Sequence, residues 1–291
     1  MLVQIFAITA PVFLLALAGF VWARIKAPFD LDFVTRLSLT FSVPCLMFAT
    51  LVKAEIDPAA FRDVAVASLA AYVAAAVVFV PMLRLGGLSQ RTWLAPVIFG
   101  NTGNVGLPVA LFAFGDAGLA LAMVVFAVMA ILSFTIGIYM VAGVGRPSEA
   151  LRQPLVYASV LGGLFAVMDW DLPDWLMSAL SLAGQIAIPM MLLTLGVSIA
   201  RLRVGDIGRA ALISVLKYVV CGAAALGTAH AVGLSEVATG VLFLQLVMPV
   251  AVTNYMLAAR YKRDPDAVAG LVVVSTVLSL AGIPVALAVF L

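Results

Sequence analysis

Polar residues in this chain gather in short clusters, and between the clusters lie apolar runs of close to membrane-span length. Reading the breaks from charge and from Gly/Pro clusters gives ten segments, at about 2–22, 33–52, 63–84, 93–114, 117–143, 154–168, 174–200, 208–231, 235–259 and 266–290. A helix needs about 20 apolar residues to cross a hydrocarbon core, and several of these runs reach or approach that length. Only helices and closed barrels span membranes. Runs this long, with no alternation over about ten residues, exclude a barrel. The pattern predicts an all-α polytopic membrane protein with ten transmembrane helices. The connections are short, which leaves no room for a soluble domain.

The apolar pattern is broken from inside at three places. FGNTGNVGLPVALF (99–112) carries two Asn, three Gly and a Pro in mid-span. QLVMPVAVTNY (245–255) carries Gln245, Pro249, Thr253 and Asn254. Lys217, in SVLKYVV, is the one charge well inside a segment.

Composition agrees with the pattern. The chain is 65% hydrophobic and 10% charged, with a mean hydropathy of +1.22, too little polar surface for a soluble domain. A signal peptide has its positive charges before the apolar core. Here Arg24 and Lys26 follow it, so a retained first span is expected. Cys45 and Cys221 lie in apolar runs and read as small core hydrophobes.

The net charge of +2 matters less than its distribution. Of the sixteen Lys and Arg, thirteen fall in or beside the odd-numbered loops: Arg24, Lys26, Arg36, Arg84, Arg91, Arg146, Arg152, Arg201, Arg203, Arg209, Arg260, Lys262 and Arg263. The even loops and the termini hold only Lys53 and Arg62. By the positive-inside rule the odd loops face the cytoplasm. A multi-pass protein of the cell (inner) membrane is expected, with both termini on the non-cytoplasmic side.

The two halves resemble each other at an offset of about 145: GLS at 87–89 and 233–235, Tyr72 and Tyr218, Pro44 and Pro189, PVFLLALAG (11–19) and PLVYASVLG (154–162). Five spans per half is an odd number, so the second half is inverted. The division is 1–144, a cytoplasmic linker 145–153, and 154–291. Inverted repeats with interrupted spans at matched positions are the sequence mark of a midplane binding site. Segments four and nine are the matched pair here.

Each interruption has a local cause. Pro108 lacks a donor and crowds the preceding turn, and Gly100, Gly103 and Gly106 ease departure from helical geometry. Freed backbone groups must then be buried in protein or line a polar cavity. A half-helix N-terminus offers N–H groups and partial positive charge to a carboxylate. Asn101 and Asn104 add donors and acceptors and share a face if the turn stays helical. Gln245, Thr253 and Asn254 do the same beside Pro249. The competing reading is close helix packing with interhelical hydrogen bonds. Lys217 lies about 15 Å from the cytoplasmic end of its segment. It either snorkels to that interface or faces the breaks, offsetting the negative half-helix ends or holding an anion. No Asp or Glu lies at that depth, so the coupling ion, H+ or Na+, is unresolved.

Other features carry less. His230 reads as an interfacial residue. Asp169, Asp171 and Asp174 form a solvated loop beside the anchoring Trp170 and Trp175, not a metal site. Thr276 and Ser279 either pack or line the site. The GxxGxxG spacing lacks GK[ST] and a βαβ context, so no nucleotide site is expected. No cofactor, metal or nucleic acid partner is expected.

FGNTGNVGLP and MPVAVTNYMLAARYKRDPDAVAGLVVVSTVLSLAGIP (248–284) resemble the auxin efflux carrier family in its bacterial form, and the resemblance runs over the whole chain. That family belongs with the bile acid and arsenite transporters and shares their general fold with sodium/proton antiporters. The resemblance implies a scaffold of about 2–52 and 154–200 and a mobile core of about 63–143 and 208–290. It also implies that broken helices 4 and 9 cross at the midplane and that the core moves like an elevator. Asn101, Pro108 and Pro249 fall on the family's crossover motif, and Lys217 where some relatives place a lysine in lieu of sodium. Asn104 departs from the family pattern, which favours an apolar or aromatic residue, and makes the pocket more polar. The long cytoplasmic loop of the plant carriers is absent. Small carboxylates such as malonate or malate, rather than auxin, are the implied substrates.

The expected function is a secondary carrier of a small organic anion. A membrane sensor without net transport, an exporter of an aromatic or amino acid, and a channel are the alternatives. An intramembrane enzyme needs an acid–base or nucleophile–base pair or metal ligands. The chain has one His and no HExxH or GxSxG, so it is read as no enzyme. The oligomeric state, a homodimer included, is left open.

Overall fold

The computed structural model describes residues 2–54, 57–143, 152–168, 170–202 and 205–290. The linker 145–153, apart from its last two residues, lies outside them, as do Arg146, Asp169 and Arg203. Among the described residues the chain is helical, with a single isolated β-bridge. The helices are α1 (Leu2–Arg24), α2 (Leu31–Leu37), α3 (Val43–Lys53), α4 (Pro58–Leu85), α5 (Gln90–Ile98), α6 (Leu107–Leu132), α7 (Ile138–Ala142) and α8 (Pro154–Met168). They continue with α9 (Asp174–Gln185), α10 (Ala187–Arg201), α11 (Ile207–Val232), α12 (Glu236–Val247), α13 (Val252–Arg260) and α14 (Pro265–Phe290). Three π turns, Ser38–Ser42, Thr102–Gly106 and Ser133–Gly137, join α2 to α3, lead into α6, and join α6 to α7.

Seven helical stretches among the described residues are long and apolar enough to cross a membrane: Val3–Arg24, Leu31–Lys53, Pro58–Leu85, Thr102–Ala142, Asp174–Arg201, Ile207–Val232 and Pro265–Phe290. The protein is a multi-pass membrane protein. Seven is fewer than the ten segments expected, for physical reasons. Thr102–Ala142 runs for 41 residues but turns at Gly115, whose φ of 66° and ψ of −158° belong to a region only glycine occupies readily. Pro154–Met168 and Glu236–Val247 are apolar but short. α5 and α13 are shorter still, each lying beside an interruption.

Helix ends follow local chemistry. Asp30, Asp57, Asp206 and Ser235 cap α2, α4, α11 and α12 by accepting a first-turn N–H. Gly233 closes α11 with φ 77°.

α1 lies along α10 with backbones in contact. A Cβ at Gly19 would overlap the Leu193 carbonyl, and one at Gly196 the Ala16 carbonyl. Small residues permit this approach in membrane helices. α3 packs on α8 and α9; α4 packs on α11 and α6; α11 packs on α12 and α14. Large apolar side chains such as Phe6, Val77, Val160, Val215 and Val285 are exposed on the outside, a surface suited to lipid and costly in water.

Candidate functional site

The helical run from Gln90 ends at Ile98, and Phe99 is extended (φ −93°, ψ 100°). Helix resumes at Thr102 as a π turn. Asn101 caps it: Oδ1 accepts from the Asn104 N–H at 3.2 Å. The sequence suggested Pro108 as the breaker. The interruption lies upstream of it, at 99–101, and a π turn over Thr102–Gly106 leads from there to Pro108.

The second interruption lies between α12 and α13, with Met248 (φ −52°, ψ 147°) and Ala251 (φ −70°, ψ 140°) extended. The two interruptions touch. Gly100 and Val250 form an antiparallel bridge, and the Asn101 N–H donates to the Pro249 carbonyl at 2.6 Å. A Cβ at Gly100 would come within 2.9 Å of the Met248 carbonyl oxygen, so a side chain there would force the two segments apart. Asn254 Nδ2 donates to the Phe99 carbonyl at 2.9 Å. The Val250 N–H donates to Ser275 Oγ at 2.9 Å. Lys217 is 2% exposed and its Nζ donates to the carbonyls of Leu246 at 3.1 Å and Met248 at 2.8 Å. The ammonium therefore sits at the negative C-terminal end of α12 and does not snorkel. Many of the backbone groups freed by the breaks are paired inside the protein, as burial in a membrane requires.

A cavity of about 100 Å³ opens beside the bridge. Gly100, Asn101, Gly103 and Asn104 line it from the first interruption, and Ala251, Val252 and Thr253 from the second. A smaller cavity of about 60 Å³ shares Leu39, Asn104, Met191, Val252 and Thr253 with it and adds Thr35, Ser38, Thr194 and Ser198. All three π turns place residues on the first cavity: Leu39; Gly103 and Asn104; Ser133 and Phe134. Such turns recur at functional sites.

The chemistry of this cavity is neutral but polarised. Among the described residues neither cavity has a charged side chain in its lining. Two helical segments begin here, and the first N–H groups of a helix have no partner within it. Ala251 supplies no side-chain cap to α13. Asn101 Nδ2 and Thr102 Oγ1 are buried without a hydrogen-bond partner among the described residues. Positive helix ends with neutral donors suit a carboxylate. A larger cavity of about 440 Å³ beside Tyr72 and Ile136 meets only the first interruption, at Ile98 and Phe99, and is lined by apolar and aromatic side chains.

The residues singled out by sequence are thus divided. Asn101, Gly103, Asn104 and Thr253 line the cavity. Pro249 contributes its carbonyl and Asn254 ties down Phe99. Gln245 lies apart, fully buried against Gly106 with both amide atoms unpartnered among the described residues. Lys217 borders a different cavity of about 280 Å³, with Tyr218, Pro249 and Ser275. Pro108 lines neither polar cavity. Thr276 and Ser279 bond back to carbonyls of their own helix, and Ser279 also lines the cavity that Lys217 borders. Ser275, which sequence reasoning passed over, is the α14 hydroxyl at the break. Ser38, Thr194 and Ser198 were also missed, because hydroxyls in apolar helices ordinarily bond their own backbone and carry no signal.

The family model for membrane transport proteins matches residues 4–151 and again 146–287. An uncharacterized transporter of Methanocaldococcus jannaschii is 27% identical over 211 residues, 68% of this chain and 66% of that protein, just under two thirds of its length. An uncharacterized transporter of Methanothermobacter thermautotrophicus is 24% identical over 269 residues, 88% of this chain and 87% of that protein. With the family matches running over nearly the whole chain, this protein belongs to the membrane transport protein family, that of the auxin efflux carriers.

Proposed function

We propose that the protein is a secondary active transporter of a small organic anion, a mono- or dicarboxylate such as malonate or malate, bound where the two interrupted helices meet. One observation carries this reading. Two helix starts, the amide of Asn101, unpartnered among the described residues, and the side chains of Asn104 and Thr253 converge on one cavity that no charged group of the described residues lines.

In this reading ten spans form two inverted five-helix repeats, 1–144 and 154–291. The α5–α6 and α12–α13 pairs cross, and a core moves past a scaffold in elevator fashion. Packing supports the division: α1 with α10 and α3 with α8 and α9 on one side, α4, α6, α11, α12 and α14 on the other. The double family match, once in each half, is what a duplicated chain gives. The Lys/Arg distribution supports odd loops in the cytoplasm. Lys217 compensates the negative end of α12 on the far side of the bridge.

The test is flux of labelled malonate and malate into proteoliposomes under H+ and Na+ gradients. Saturable uptake is expected, and Asn101→Ala should cut it by about tenfold or more, the rate equivalent of about 1.4 kcal/mol, in protein that still purifies folded. No saturable carboxylate movement under any gradient, or flux indifferent to Asn101→Ala, overturns the reading.

A further inference from the structure

Only Lys53 and Arg62 carry positive charge in the even loops, the side otherwise poor in cations. Arg62 is paired with Asp63 at 2.8 Å. Lys53 forms no ion pair among the described residues; its Nζ donates to Ser181 Oγ at 2.8 Å. Both side chains face a cavity of about 450 Å³ between α3, α9 and the Gly115 bend of α6. Gln185 lies on the same wall as Ser181, and Asp116 on the α6 wall.

This outer cavity and the one at the helix breaks lie on one seam. On α3, Leu46 borders the outer cavity and Val43 the inner. On α10, Ile188 borders the outer and Met191 the inner. Three residues of helix rise only about 4.5 Å. Less than one turn of packed side chains therefore separates the two spaces along both helices.

We propose that Lys53, Ser181 and Gln185 form an outer waiting site for the carboxylate of the transported solute, at the far end of a cavity whose inner edge comes within one helical turn of the inner cavity; Lys53 itself stands ten residues beyond Val43 on α3, about 15 Å of helix. This rests on the carrier reading above. An ammonium has three donors, and Ser181 uses one of those on Lys53. Two donors remain on Lys53, and Gln185 lines the same cavity. A cation in a cleft with low-dielectric walls raises the local concentration of anions. Asp116 works against it from the opposite wall and sets how strongly the site draws anions.

The experiment measures malonate flux in oriented proteoliposomes, separately from each face. Lys53→Gln should raise half-saturation from the Lys53 face by about three- to tenfold, because a charge at the rim governs capture. Maximal rate from the Lys53 face should be unchanged; as detailed balance requires, the ratio of maximal rate to half-saturation should fall by the same factor from the opposite face, there through a lower maximal rate, because release past residue 53 is slowed as well. Lys53→Arg should retain the wild-type value, Ser181→Ala should move in the direction of Lys53→Gln, and Asp116→Asn should lower half-saturation. Unchanged half-saturation in Lys53→Gln, while Asn101→Ala still abolishes flux, overturns the waiting site and leaves the carrier reading standing. An equal fall in maximal rate from both faces with half-saturation unmoved makes Lys53–Ser181 a structural tie and also overturns it. No malonate flux in the wild type overturns both.

Discussion

Gln245 is 0% exposed, and neither Oε1 nor Nε2 has a hydrogen-bond partner among the described residues. The amide is pressed on Gly106, where an added Cβ would overlap its oxygen. Burying an unpaired amide costs about 1–3 kcal/mol in protein mutational measurements. Methionine matches glutamine in length and carries no amide, and volume-conserving exchanges cost less than about 1.5 kcal/mol. Gln245→Met should therefore stabilise the protein by about 1–2 kcal/mol. At about 2–4 °C per kcal/mol for chains of 150–250 residues, that is a rise in Tm of roughly 2–8 °C. Thermal unfolding in detergent, followed by fluorescence of the four Trp, reads it directly. A polar group kept in the core at such a cost is expected to serve the working cycle. The amide rests on the π turn that also carries Asn104, and in the carrier reading it bonds that turn in another state of the cycle. The same variant should then lose malonate flux by about tenfold, equivalent to about 1.4 kcal/mol. A fall in Tm would refute the reasoning, since it would mean that the amide is paired in the folded protein. Higher Tm with undiminished flux would refute its functional half.

Ser275→Ala removes the acceptor of the Val250 N–H and should cost about 1–3 kcal/mol, the price of a buried donor left alone; a Tm within one degree of wild type would rule this out. Lys217→Met uncovers the carbonyls of Leu246 and Met248, at about 1–3 kcal/mol each, but relieves the burial of a charge, worth several kcal/mol. The variant should fold with a Tm near wild type and lose flux, and wild-type flux would show that the ammonium does not hold the break. Gly196→Val forces α1 and α10 apart and should lose about 1–3 kcal/mol by overpacking. Gly227→Ala, where an added Cβ meets nothing within 4 Å, should gain about 1 kcal/mol of helix propensity. Parallel melting curves distinguish the two, and equal shifts would contradict the packing assigned to α1 and α10.

What could be read from the sequence was backbone chemistry. Gly100, Pro249 and the Asn-rich run announce interruptions because glycine and proline act on the chain locally, whatever surrounds them. Lys217 stood out as a charge without an aqueous neighbour, but its alternatives could be decided only by seeing where Nζ ends. Pro108 marks the neighbourhood of the break but not its place: the chain leaves helical geometry at 99–101 and re-enters through the π turn that precedes the proline. The Gly115 turn was legible only as a gap between two apolar segments. The three π turns have no compositional mark. Lys53 could be counted in the charge tally, but its partner Ser181 is 128 residues away, beyond any local pattern.

The tie between the interruptions is made of main chain: the Gly100–Val250 bridge and the Asn101 N–H on the Pro249 carbonyl. Main-chain bonds are largely indifferent to which side chains surround them. If the cavity is the solute site proposed above, Asn104 and Thr253, which line it without being part of that tie, can change without loosening the junction, and solute preference can diverge while the junction persists.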